Sequence, residues 1–207
     1  MNMFIDEYHL LFNELASTNI KQLVRANTSD CVITKFPVFV LKVLNNTGLE
    51  EFYLNTNVFL DASENQCEDM LPASVILLDF SSNRLLQFCF HMPFLKYLYL
   101  QNNSLGSFLR FNSFMRSSTT QLESVDLSFN FIYGLKFSTF QGHTQLQTLN
   151  LSNNNLHNID FDISHLKALK QLDLSNKFIG TFSQDNMDTF TNMFKVSDIR
   201  TDLGYNV

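Results

Sequence analysis

LESVDLSFNFI (residues 122–132) and LQTLNLSNNNL (residues 146–156) share one pattern, L-x-x-L-x-L-x-x-N-x-apolar, and begin 24 residues apart. The same pattern starts downstream at Leu169 (LKQLDLSNKFI). Upstream it starts at Leu95 (LKYLYLQNNSL), Val75 (VILLDFSSNRL) and Leu49 (LEEFYLNTNVF). The start-to-start intervals are 26, 20, 27, 24 and 23 residues. One match would say little, because leucine is common. Six in phase, five of them with asparagine at the ninth place, make the chain a tandem array of one supersecondary unit.

The intervals fall inside the range of leucine-rich repeats, and the physics of the pattern gives the fold. In each L-x-L segment alternate side chains point to opposite faces, so the leucines point inward, and one unit alone cannot bury them. Stacking the units in a parallel sheet can. The expected fold is therefore an α/β repeat: a curved leucine-rich-repeat solenoid with a concave parallel sheet and a mostly irregular convex side. Its strands are predicted near Phe52–Leu54, Leu78–Phe80, Leu98–Leu100, Val125–Leu127, Leu149–Leu151 and Leu172–Leu174. Asn57, Asn83, Asn103, Asn130 and Asn154 stand where the chain leaves each strand. Their amides can satisfy turn backbone groups, forming an asparagine ladder. The sixth unit has Lys177 there, whose ammonium has no acceptor, so the ladder is predicted to loosen at that end. Leu135 with Phe140, and Phe108 with Phe114, are predicted to stack beneath the strands on the convex side.

Three segments follow: 1–48, a flank with a degenerate repeat; 49–192, six repeats; and 193–207, an incomplete repeat. In the flank Ile20 and Leu23 could begin a repeat 29 residues before Leu49, with Arg25 at an apolar place. At the other end Met193 and Val196 keep a 24-residue phase that Asp198 and Thr201 break.

Composition narrows the function. Of 207 residues 45% are apolar and 16% charged, unlike a disordered chain. The net charge of -6 argues against a nucleic-acid binder that neutralises phosphates. With six glycines and three prolines there is no glycine-rich phosphate loop or proline-rich linker. The longest apolar stretch, Val32–Leu44, is broken by Lys35, Pro37 and Lys42, so no membrane-spanning helix is expected. Asp6, Glu7, His9 and Glu14 interrupt the N-terminal segment, which does not read as a signal peptide. The 22 phenylalanines, beside no tryptophan, are expected mostly in the core.

Catalytic constellations are missing: no G-x-S-x-G, H-E-x-x-H, Walker loop or G-x-G-x-x-G occurs. Neither an enzyme nor a cofactor nor a metal site is expected. His157 and His165, near Asp160 and Asp162, read as solvated loop residues. Cys31, Cys67 and Cys89 lack C-x-x-C spacing; Cys67 and Cys89 lie in return segments of adjacent repeats, where either a disulfide or two unrelated thiols fits. N-x-S/T sequons at Asn27, Asn45, Asn102 and Asn150 are candidate glycosylation sites, in the number chance yields for this composition.

The concave face is the better place for function. Its central row reads Tyr53, Asp79, Tyr99, Asp126, Asn150 and Asp173, and a flanking row reads Glu51, Leu77, Tyr97, Ser124, Thr148 and Gln171. Tyr97, Tyr99, Asp126 and Phe129 should cluster on adjacent repeats as a ligand-binding patch, since exposed tyrosine supplies contact area and a hydroxyl at small entropy cost.

The strings LSFNFIYGLKFSTFQGHTQLQTLNLSNNNLHNI and LKQLDLSNKFIG resemble the extracellular repeats of Toll-like receptors. The likeness rests on L-x-L-S-x-N plus an apolar residue, then L-x-x-x-x-F (Leu135 and Phe140), and covers Leu49 to about Phe182. It implies part of a single-pass innate immune receptor on the outer side of a cell membrane. Such ectodomains bind microbial ligands, pair with receptor proteins through their sides, and signal through a cytoplasmic Toll/interleukin-1 receptor domain. Signal peptide, cysteine caps, membrane helix and signalling domain are absent from these residues, so the resemblance implies binding rather than transmission, with membrane attachment only through other segments. Two alternatives remain: a cytoplasmic leucine-rich-repeat adaptor mediating protein–protein interaction, and a secreted repeat protein.

Overall fold

The computed structural model describes residues 23–34, 44–45, 47–60, 71–88, 94–106, 121–135, 139–157, 163–175, 188 and 200–202. Among the described residues, eight three-residue strands form one parallel sheet in chain order. They are β1 (Arg25–Asn27), β2 (Glu51–Tyr53), β3 (Leu77–Asp79), β4 (Tyr97–Tyr99), β5 (Ser124–Asp126), β6 (Thr148–Asn150), β7 (Gln171–Asp173) and β8 (Arg200–Asp202). Every neighbouring pair is parallel and in register. This is the solenoid of stacked coils that the repeats require.

In β2 to β7 the middle residue is buried and its neighbours face outward. Phe52, Leu78, Leu98, Val125, Leu149 and Leu172 thus form the inner row, with Leu54, Phe80, Leu100, Leu127, Leu151 and Leu174 beneath them at 0% exposure. Phe80 meets Phe59 edge-on at 5.4 Å and Phe88 at 5.7 Å, favourable aromatic geometry. Leu135 and Phe140 are buried on the convex side as expected, while Phe108 and Phe114 lie outside the described residues.

The strands run one residue nearer the N-terminus than predicted. Leu54 shows the reason. Its N–H still joins the ladder, donating to the Asp79 carbonyl at 2.7 Å. Its carbonyl is taken by two side-chain amides, Asn57 and Asn83, each at 3.0 Å, so the backbone turns away there.

That arrangement repeats. Asn83 Nδ2 donates to the Leu54 and Phe80 carbonyls, Asn103 to Phe80 and Leu100, Asn130 to Leu100 and Leu127, and Asn154 to Leu127 and Leu151. Each Oδ1 accepts a backbone N–H of the preceding coil, from Phe59, Leu85, Leu105 and Ile132 respectively. Lys177 lies outside the described residues.

Two register expectations are corrected. Arg25 pairs with Glu51 and Ala26 with Phe52, so the first coil leads by 26 residues rather than 29, and Leu23 rather than Ile20 matches Leu49. Arg25 is outward-facing, and Cys31 takes the ladder place, its N–H donating to Asn57 Oδ1 at 3.1 Å. At the other end Thr201 aligns with Leu172, a 29-residue offset that supersedes the 24-residue phase of Met193 and Val196.

Candidate functional site

Register places two rows of side chains on the concave surface. The flanking row is Arg25, Glu51, Leu77, Tyr97, Ser124, Thr148 and Gln171; the central row is Asn27, Tyr53, Asp79, Tyr99, Asp126, Asn150 and Asp173. Most of the central row has a local task. The Oδ1 atoms of Asn27, Asp79, Asp126, Asn150 and Asp173 accept the N–H two residues on, from Ser29, Ser81, Ser128, Ser152 and Ser175, at 2.8–3.0 Å. An acceptor on a short side chain is what such a turn needs, and Asp and Asn serve equally.

Tyr53 and Tyr99 break that rule. Tyr53 is drawn into a cluster: its hydroxyl donates to Glu51 Oε2 at 3.0 Å, and Arg25 Nε donates to the same atom at 2.6 Å. The Arg25 guanidinium lies 5.6 Å from the Tyr53 ring centroid. The Arg25 hydrogen bond, then that from Tyr53, holds the Glu51 carboxyl below the usual carboxylate range.

Tyr99 stands between Asp79 on β3 and Asp126 on β5 in register. Burial, then the charges of Asp79, Tyr97 and Asp126, push its hydroxyl upward, so it stays protonated and able to donate at neutral pH. Tyr97 beside it donates to Glu123 Oε2 at 3.3 Å, and Glu123 pairs with Lys96 at 2.9 Å. Asp126 Oδ2 accepts from Asn150 Nδ2 at 3.1 Å.

Phe129 is 57% exposed and has a left-handed backbone, φ 53°. Thr56, Ser82, Asn102 and Asn153 hold the same turn place with φ 52–57°, which suits small polar residues better than phenylalanine. Beyond it Phe131 (52%) and Tyr133 (46%) also face outward, while Asn130 and Ile132 alternate inward. Tyr97, Tyr99 and Asp126 therefore share adjacent strands, and Phe129 follows on the rim of the same coil as Asp126.

Reading the sequence left out Gln101, Phe131 and Tyr133. Gln101 stands where three later coils have serine, and its buried Oε1 has no donor among the described residues. The visible signal was the departure of LYLQNN from L-x-L-S-x-N. Asn27, Asn45 and Asn102 are exposed, whereas Asn150 is half-buried and hydrogen-bonded within the sheet. Cys67 and Cys89 lie outside the described residues, and Cys31 carries a free thiol. His157 packs near Tyr133, with ring centroids 6.1 Å apart, and His165 Nε2 hydrogen-bonds the Phe140 carbonyl. Asp160 and Asp162 are outside the described residues, and among those described no three His, Cys, Asp or Glu side chains gather as a metal cage. No helix among them is long and apolar enough to cross a membrane.

Residues 120–179 match the family model described as leucine rich repeat. Solved structures share the architecture at low identity. The LRIM1 leucine-rich repeat domain is 18% identical, with TM-score 0.54, over 84% of this chain and 58% of that one. The LRIM1/APL1C complex matches at 16% identity and TM-score 0.55, over 86% of this chain and 38% of that one. A Shigella effector leucine-rich-repeat domain matches at 13% identity and TM-score 0.53, over 99% of this chain and all of that one. This chain thus spans little more than half of the LRIM1 domain's length. No curated protein matches it in sequence. With the registered strands and asparagine ladder, these likenesses identify the fold as a leucine-rich-repeat solenoid.

Proposed function

We propose that this leucine-rich-repeat chain is a recognition segment of a Toll-like innate immune receptor, working by binding rather than catalysis. The concave patch of Tyr97, Tyr99 and Asp126, with Phe129 on its rim, is its contact surface. One observation carries the choice of surface. At Tyr99 an aromatic ring replaces the Asp or Asn that holds the turn in neighbouring coils, and at Phe129 an exposed ring sits in a backbone conformation it disfavours. Tyr99 gives up the turn's side-chain acceptor and Phe129 adds strain to its turn, and contact with a partner accounts for both. The receptor class is supported by the L-x-L-S-x-N motif with its convex Leu135 and Phe140. The exposure of Asn27, Asn45 and Asn102 suits glycosylation on the outer side of a cell membrane.

A chimera tests this reading. The chain is displayed outside a membrane anchor fused to a Toll/interleukin-1 receptor domain and exposed to killed bacteria. Reporter induction is expected. The Tyr99→Ala/Phe129→Ala double variant, at equal surface display, should need about thirtyfold more stimulus, the equivalent of about 2 kcal/mol. No induction by the parent chimera overturns the receptor reading, and equal response of the variant moves the surface elsewhere.

A further inference from the structure

Two coils carry tyrosine in the central row, and both carry an amide rather than serine two residues on: Tyr53 with Asn55, and Tyr99 with Gln101. In the other coils Ser29, Ser81, Ser128, Ser152 and Ser175 donate their N–H to the Asn or Asp Oδ1 two residues back. A tyrosine oxygen stands too far from its own backbone to accept in this way. The β2 coil uses its amide within the chain. Asn55 Oδ1 accepts from Ser29 Oγ at 2.6 Å, Asn55 Nδ2 donates to Thr56 Oγ1 at 3.3 Å, and Glu51 takes the Tyr53 hydroxyl. The β4 coil has the same residue types without that use. Among the described residues the Tyr99 hydroxyl, the Gln101 N–H and the buried Gln101 Oε1 all lack a partner. A buried acceptor left unpaired costs stability, and folded chains seldom keep one without a use for it.

We infer that Tyr99 and Gln101 form a subsite for the backbone of an extended, uncharged peptide segment of a partner protein. An extended residue presents its N–H and C=O on one edge. Gln101 can meet both. Its N–H donates to the segment's carbonyl, and its Oε1 accepts the segment's N–H. The side-chain oxygen stands in for the Gln101 backbone carbonyl, which is already committed to the Ser82 N–H at 2.9 Å. Gln101 as a whole is only half-buried, and the terminal torsion of a carboxamide is soft, so the oxygen turns outward at small cost. Asp79 and Asp126 stand in register on either side of Tyr99. Their charges repel a carboxylate, so the group that accepts from Gln101 is a neutral carbonyl. The Tyr99 hydroxyl is a second donor to the same segment, and Phe129 offers exposed apolar surface one coil on. The inference rests on the concave-face reading above and deepens it by giving the partner's chemistry.

The probes are a capped pentapeptide of alternating threonine and valine, and the depsipeptide of the same side chains in which ester oxygens replace the internal N–H groups. Each is titrated into the isotope-labelled full chain and followed at the Gln101 and Asn102 amide signals. The peptide should bind about fivefold more tightly than the depsipeptide. Gln101→Ser, which restores the serine of the other coils, should weaken the peptide about fivefold and leave the depsipeptide unchanged, with a urea midpoint no lower than the parent's. Equal binding of the two probes, no binding of the peptide, or a Gln101→Ser variant that binds like the parent overturns the inference. A lower midpoint for that variant also overturns it, because the carboxamide then serves the fold. A chitin trisaccharide brings amides on a sugar, and its binding in preference to the peptide overturns the peptide class. In each of these cases the concave-face reading stands if the Tyr99→Ala/Phe129→Ala chimera still loses response, and falls with the inference if it does not.

Discussion

Phe129 is the residue whose local cost is easiest to isolate. A left-handed backbone costs an L-residue of this size about 1 kcal/mol, and Asn102 and Asn153 hold the same place with a side chain that tolerates it. Phe129→Asn should therefore stabilise the chain by about 1 kcal/mol in urea unfolding while weakening partner binding. A variant that is no more stable would mean that the exposed ring contributes packing that offsets its strain. The site was legible where it followed register: Tyr97, Tyr99 and Asp126 fall into rows as soon as the strands are aligned. The turn strain at Phe129 was not legible. Nothing in L-S-x-N states that the variable place has positive φ, because backbone angle is a property of the whole turn.

At the scale of the element, the turn after each strand is held by an amide that serves two coils at once. Removing Asn130 would leave the Leu100 carbonyl with Asn103 and the Leu127 carbonyl with Asn154, but the Leu105 N–H would lose its acceptor. Asn130→Ala should cost about 1–3 kcal/mol, read as a lower midpoint in chemical denaturation with the parallel sheet retained. An unchanged midpoint would show that water replaces the amide. The strands themselves were legible to within one residue, since leucine spacing reports the inward face. Where each strand ends is decided by the carbonyls that asparagine captures, and spacing does not carry that. The apolar spacing of Ile20 and Leu23 suggests a 29-residue lead for the coil of β1, at the cost of an inward Arg25, whereas the 26-residue lead keeps Arg25 outward. The cysteine at the ladder place, Cys31, was the signal for the correct phase.

Across the whole molecule, acid is the condition that tests the convex packing. His143 is 2% exposed against Phe140, and burial, with a further contribution from the charge of His165, lowers its pKa from 6.5 to about 4. Between those values the unfolded chain binds a proton that the folded chain refuses. Stability is therefore full above pH ~6.5 and falls as pH drops toward 4, by about 3 kcal/mol in total. Glu51 and Glu123, held down chiefly by Arg25 and Lys96, lose their contributions at lower pH still. Urea midpoints at pH 7 and pH 4.5 should differ in the parent and converge in His143→Leu. A parent midpoint that does not move would mean that the ring takes up its proton within the folded chain. The concave face answers to different chemistry from this interior. Since Asp and Asn cap its turns alike, a single base change in a codon can add or erase a charge there without disturbing the scaffold. The surface can drift from one partner to another through a chain of folded intermediates, each a working protein, which makes the turn cap a source of evolvability as much as of structure.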